Sequence, residues 1–277
     1  TNAAGYRTQP ADMAGGITSG GTLILKTGEV KNTAGSIDSK GALIAETQAF
    51  TNAGGKTLAV GSLALDAGDG TIDNTGGLIR ANGAARLRAG SVVNANTSGD
   101  EQGIEARNVT VLGGAELNNI SGRIAAVEAL DVKDRNAGNS AARGLAITNT
   151  DGVLKAGIPA APGADGKMRS GVGGVFIDAK SFSGDGRIAS ANDLNVALVQ
   201  DVTNNTKMDV DGNLNFSTAG KFTNNTKLSA GRKLTVDASV IDNAADAEMS
   251  GRDTALKAAT TLTNRGLIDS QGATQID

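Results

Sequence analysis

Val202-Thr-Asn204-Asn-Thr-Lys207-Met208-Asp-Val-Asp-Gly-Asn-Leu214-Asn-Phe216-Ser-Thr-Ala-Gly-Lys-Phe222-Thr-Asn224 holds one whole unit of a repeat of about twenty residues, written four times from Arg187 onward and begun a fifth time before Asp277. Aligned on their asparagines, the units place Asn204, Asn224, Asn243 and Asn264 in register, each with an apolar residue two places earlier: Val202, Phe222, Ile241 and Leu262. A second apolar position follows each Asn at Met208, Leu228, Met249 and Ile268, with Ile188 opening the series. Alternating pairs then recur at Leu194/Val196, Leu214/Phe216, Leu234/Val236 and Thr254/Leu256. Three short runs of period two in each unit predict three short strands.

A unit this small cannot bury an apolar face alone, so successive units must stack along one axis and share a core. A leucine-rich repeat of similar length would also carry an Asn, but after a dense run of leucines and beside a helical stretch. Here Gly and β-branched residues interrupt every window long enough for a helix. The pattern predicts an all-β chain: a right-handed parallel β-helix of about twelve coils, with three strands per coil.

The Asn register extends through the N-terminal half at Asn2, Asn32, Asn52, Asn74, Asn94, Asn119 and Asn149, with Gly184 in the place before Asn204. The apolar partner persists at Val30, Phe50, Ile72, Val92, Leu117, Ile147 and Phe182. A corner Asn can donate to and accept from its counterparts above and below, so the column needs no ligand to explain it. Twelve levels at about 4.8 Å each give a rod roughly 50–60 Å long.

Unequal spacing locates insertions in one continuous β-helix over residues 1–277: regular coils over 1–96 with an insert near 6–14, inserts over 97–171, and regular coils over 172–277. The central excesses are Thr97 to Gln102, Asp134 to Arg143, and Gly157 to Gly171, placed at three different corners of consecutive coils. Loops on a rigid scaffold are frequent carriers of recognition, although solenoids also tolerate corner insertions at small entropic cost. Strict alternation turns Phe176 outward, and the longest insert, with Met168 and its prolines, is expected to fold over it.

Composition narrows the chemistry. With no Cys and no His, the chain has no thiolate or imidazole ligand set for zinc, and no cofactor or metal site is expected. Aromatics make up 2 % of residues, so the core must be aliphatic. A net charge of −3 argues against nucleic acid as a partner. Asp209 and Asp211, predicted outward on one strand near Asp193, have a spacing compatible with a carboxylate pair, yet flat ladders without an aromatic platform argue against a polysaccharide-cleaving enzyme. Gly68-Asp69-Gly70, Gly163-Ala164-Asp165-Gly166 and Gly184-Asp185-Gly186 are expected to be corner turns and not calcium loops. Arg187, Lys207 and Lys227 should form a column of cations able to grip an anionic glycan or be neutralised by nearby aspartates. Arg80, Arg86 and Arg88 form a weaker basic cluster.

Three phrases, Gly-Gly-Leu-Ile-Arg-Ala (76–81), Ala-Gly-Arg-Lys-Leu-Thr-Val-Asp-Ala (230–238) and Leu-Thr-Asn-Arg-Gly-Leu-Ile-Asp-Ser (262–270), resemble the haemagglutinin repeats of the filamentous haemagglutinin family. That resemblance implies part of a large secreted or cell-surface exoprotein, exported by a partner transporter of the outer membrane. It would serve as an adhesin or as the stalk of a contact-dependent growth inhibition toxin. It carries over no catalytic residues. The expectation is a monomeric, non-enzymatic stalk; the alternative is a segment that binds a receptor or glycan of a host or target cell through the central inserts, with Phe176, Met168, Arg187, Lys207 and Lys227 as candidate contacts. Since the chain opens and closes inside the repeat, it reads as a fragment of a longer protein.

Overall fold

A computed structural model describes residues 16–277. The coil end expected at Asn2 and the insert expected near 6–14 lie outside them. Twelve strands, from Gly16–Ser19 to Leu267–Ser270, stack as one parallel sheet in which each strand pairs with its equivalent in the next coil. The chain is a right-handed parallel β-helix. Its register is that of the repeat: Ile188 pairs with Met208, Met208 with Leu228, Leu228 with Met249 and Met249 with Ile268. Val202, Phe222, Ile241 and Leu262 form an equivalent column on another side.

Alternation explains the interior. Strands such as Ser36–Ser39 and Arg123–Ala126 bury every second residue and leave the others partly exposed. Ile37, Leu43 and Phe50, one from each side of a single coil, are fully buried. Similar triplets continue upward, so coils share one apolar core along the axis. Phe216 and Phe222 meet within it, their ring centroids 4.6 Å apart and tilted by 52°.

Three separate strands per coil is not general. In Ala84–Val93, Asn108–Asn118, Lys233–Asn243 and Asp253–Asn264 the second and third strands run on as one. The pairing shifts register between Ala89 and Ser91, and again between Ala238 and Val240, so a bulge bends the strand where other coils have a turn. Gly90 occupies the first of these bends because a Cβ there would collide with the Asp69 carbonyl of the neighbouring coil. Although these strands link the second and third sheets into one network, every ladder in it is parallel and joins successive coils. That is stacking and not barrel closure.

The central insertions occupy three different corners. Residues 97–102 lie between the third and first sheets. Residues 135–145, with a single 3-10 turn at Ser140–Ala142, lie between the second and third. The longest leaves after Val153–Ala156 and returns at Gly174–Asp178 as a hairpin, with Ala161–Pro162 antiparallel to Met168–Arg169 and a bridge from Ile158 to Val172 at its base. Asp134 fastens the 135–145 insert: the carboxylate is 1 % exposed and accepts from the backbone N–H groups of Asn136, Gly144 and Leu145 at 2.6–2.7 Å. Among the described residues no helix is long and apolar enough to cross a membrane.

Candidate functional site

The corner after the third strand carries the asparagine column. Each Nδ2 donates to the next coil's Oδ1, from Asn32 to Asn52, Asn74, Asn94, Asn119 and Asn149 at 2.7–2.8 Å. A second run joins Asn204, Asn224, Asn243 and Asn264 at 2.8–3.0 Å. The amide's other hydrogen reaches a backbone carbonyl, as from Asn52 to Leu78 O at 3.0 Å and from Asn94 to Arg123 O at 3.0 Å. All these residues are buried except Asn264, which is exposed.

The ladder breaks at Gly184, whose φ is 111° and whose Cβ, if it had one, would stand 2.5 Å from the Asn149 carbonyl carbon. Thr206 is buried beside the break and donates its hydroxyl to Gly184 O at 3.2 Å. The column is a framework: its buried amides bond one another along the axis and the backbone carbonyls beside them.

The predicted surface contacts fall in different places. Arg187 and Lys207 are neighbours in the first sheet, and Lys227 lies in the next strand. They do not form an open row of charges: Asp209 pairs with Arg187 at 2.5 Å and with Lys207 at 3.9 Å, and Glu248 pairs with Lys227 at 3.0 Å. A hydrogen bond from the Ser250 hydroxyl, followed by the one from Lys227, holds the Glu248 carboxyl below its ordinary range. The expectation of Asp209 and Asp211 on one strand fails, because the strand ends at Val210 and Asp211 lies at the corner. Asp193 accepts from Asn213 N at 2.8 Å. The Asp209 carboxylate thus serves ion pairing and the Asp193 carboxylate holds the corner. Arg80, Arg86 and Arg88 also separate, Arg80 in the first sheet and the other two in the strand beyond the next corner.

Phe176 lies on the second sheet, paired with Asp131 and Asn195. It is half-buried in a shallow depression lined by Lys133, Asp178, Asn195 and Asn215, to which the longest insert contributes no residue. The insert therefore does not lie over Phe176 as expected. Gly157 and Gly171 at the hairpin's base sit against Ala191, at the corner between the first and second sheets, and Asn192 donates to Gly171 O at 3.3 Å. Met168, near its far end, is 67 % exposed.

This placement creates a groove of about 820 Å³ where the hairpin leaves the rod. Its floor is Ala125, Ala126 and Val127, and Gly157, Ile158 and Pro159 line it from the hairpin side. Val127 is 58 % exposed and Ile158 40 %, side chains large enough to reward covering. Arg80 and Arg123 both pair with Glu105, Arg80 at 2.8 Å. Arg107 pairs with Glu128 at 2.7 Å, and Asn108 donates to the same carboxylate at 3.0 Å. The hydrogen bond from Arg107, then that from Asn108, keeps the Glu128 carboxyl below its ordinary range. Lys155 is exposed on the groove with no acidic partner among the described residues. The lining thus holds Arg80, Arg107, Arg123 and Lys155 against Glu105 and Glu128, a local excess of two positive charges in a chain of net −3.

Of these residues the sequence points to Arg80, in a weak basic cluster, and to Gly157, Ile158 and Pro159, at the start of the longest insert. Val127 carried the one available signal, as a β-branched apolar residue at the corner position that Asn82 and Arg107 hold in the two preceding coils. Among the described residues no three His, Cys, Asp or Glu side chains converge to hold a metal ion.

The family model of the haemagglutinin repeat matches residues 11–69, 171–226 and 202–275, more than half of the chain. The band between them, 70–170, contains most of the groove and of the central inserts. Comparison with the curated proteins and with the solved structures gives no match.

Proposed function

Because the chain belongs to the haemagglutinin-repeat family, we propose that it is a non-enzymatic stalk segment of a large secreted filamentous exoprotein, which holds binding or toxin modules away from a bacterial surface. The observation that carries this reading is the uninterrupted parallel ladder from Gly16–Ser19 to Leu267–Ser270, in which each coil adds length. Export would depend on an outer-membrane partner transporter, and the segment would act as a monomer. The stacked corners supply rigidity without disulfides, and the sequence has no Cys. Deleting residues 185–243, three coils in register, from the exoprotein should leave export intact and shorten its reach by about 14 Å at roughly 4.8 Å per coil. Loss of a chemical activity on acidic polysaccharides in that variant would contradict the reading.

A second reading, recognition of a receptor or glycan by the central band, is supported by the groove beside the longest hairpin. Along the regular coils each outward position repeats its neighbour, whereas binding hot spots require local singularity. Shortening 157–171 to an ordinary corner should keep the rod folded, since the hairpin lies outside the stacked strands. Cell binding should fall sharply in that variant. Lys207→Ala and Lys227→Ala should alter its salt dependence only.

A further inference from the structure

We propose that the groove between the corner at Val127 and the base of the 158–172 hairpin is a docking site for an extended acidic segment of a partner protein, with apolar side chains on Val127 and Ile158 and carboxylates on Lys155 and Arg107. The inference rests on the recognition reading and names the ligand chemistry for it.

Size comes first. About 820 Å³ lies within the range of roughly 300–1,000 Å³ typical of ligand sites. The lining draws on the first-sheet strands Leu78–Ala81, Gly103–Ala106, Arg123–Ala126 and Val153–Ala156, four successive levels of the stack. Three steps of about 4.8 Å make some 14 Å, the length of about four residues of extended chain.

Charge then selects the occupant. Glu105 is already shared by two guanidinium groups and Glu128 is held by Arg107 and Asn108, so neither carboxylate seeks a cation from a ligand. Lys155 has no acidic partner among the described residues, in contrast to Arg187, Lys207 and Lys227 farther along the same sheet. An incoming carboxylate gains Lys155 and the unused donors of Arg107, and meets the local excess of positive charge.

The apolar floor separates a peptide from a sugar. Ala125, Val127, Ile158 and Pro159 offer aliphatic surface, and none of the residues lining the groove is aromatic. A sugar ring would find no stacking platform there. Leucine-sized side chains would bury Val127 and Ile158, and carboxylates at alternate positions of the same extended segment would reach the cations on the groove's flanks.

Fluorescence anisotropy with a labelled hexapeptide of alternating Asp and Leu tests this, using purified 1–277. Wild-type protein should bind it, more weakly as salt rises, and should not bind the matching Lys/Leu peptide. Lys155→Glu should weaken binding about tenfold or more, Val127→Ser should weaken it at every salt concentration, and Lys257→Glu, in the strand Asp253–Asn264 outside the groove, should leave it unchanged. Far-UV circular dichroism confirms that each variant is folded. The proposal is overturned if the acidic peptide does not bind, if Lys155→Glu binds it like wild type, if an oligogalacturonate binds at Lys155 in place of the peptide, or if the protein's own self-association accounts for the signal. Cell binding lost on shortening the hairpin but unaltered by Lys155→Glu would reject this ligand chemistry while leaving the recognition reading standing.

Discussion

Asn119 Nδ2 lies 2.7 Å from Asn149 Oδ1, one coil away in space although 30 residues apart in sequence. The insert between them bulges out at another corner, and the amides meet as though it were absent. Asn119 also accepts from Asn94 at 2.8 Å, so its buried amide satisfies its neighbours on both sides.

Replacing Asn119 by Leu therefore orphans two groups, one Asn94 hydrogen and the Asn149 oxygen, at about 1–3 kcal/mol for each buried polar group left unpaired. Urea unfolding should show a clearly lowered midpoint. Unchanged stability would mean that the corner amides are hydrated in solution.

Gly184→Asn restores the repeat's consensus yet should not repair the ladder. Its φ of 111° and the closeness of the Asn149 backbone leave no room for a Cβ. Strained backbone of this kind costs about 1–3 kcal/mol, so the variant should unfold at lower urea than wild type. A gain in stability would show that this corner relaxes to the geometry of its neighbours.

In the first run of the ladder, from Asn32 to Asn149, the turn two residues after each Asn passes through positive φ: 51° at Ala34, 60° at Gly54, 63° at Gly76, 54° at Asn96, 47° at Ser121 and 51° at Asp151. A non-glycine residue in this region carries roughly 1–2 kcal/mol of strain, partly offset by the greater freedom glycine brings to the unfolded chain. Ala34→Gly should accordingly raise the unfolding midpoint, by up to about 1 kcal/mol of stability. A lower midpoint would mean that the turn does not hold this geometry.

This corner also shows what sequence reading could and could not reach. The Asn and the apolar residue before it were legible because stacking forces one chemical type at one spacing. The left-handed position was not, since Ala34, Gly54, Ser121 and Asp151 share a backbone conformation and no side-chain chemistry. The groove was hidden for another reason: Lys155 stacks beside Ala125 in the regular ladder, but Ile158 is brought to the corner at Val127 by the path of an insert, which obeys no period. Phe176 was read correctly as turned away from the core, but its covering depended on which way the hairpin leaned, and the hairpin leans to the opposite side of the corner.

Acid should affect the 135–145 corner in a distinctive direction. Burial, first, pushes the Asp178 carboxyl above its ordinary value of 3.8; Arg143 draws it back in part and Asp134 adds to the rise. Folded Asp178 then keeps its proton to higher pH than the unfolded chain does. Between the ordinary and the raised value the native state binds more protons, so this group's contribution to stability falls as pH rises. Asp178→Asn should remove that fall, seen as a flatter plot of urea midpoint against pH just above the ordinary carboxylate range. Identical slopes in the two proteins would assign the effect elsewhere.

The central claim is that length is added one coil at a time around an unchanging cross-section. Duplicating residues 185–243 in tandem inserts three coils in register and brings the first repeat's Asn243 to the corner that Gly184 otherwise occupies. Small-angle X-ray scattering should then show a maximum dimension longer by about 14 Å, at roughly 4.8 Å per coil, and an unaltered cross-sectional radius. A particle that thickens in every dimension, or gains no length, would contradict a stacked β-helical stalk.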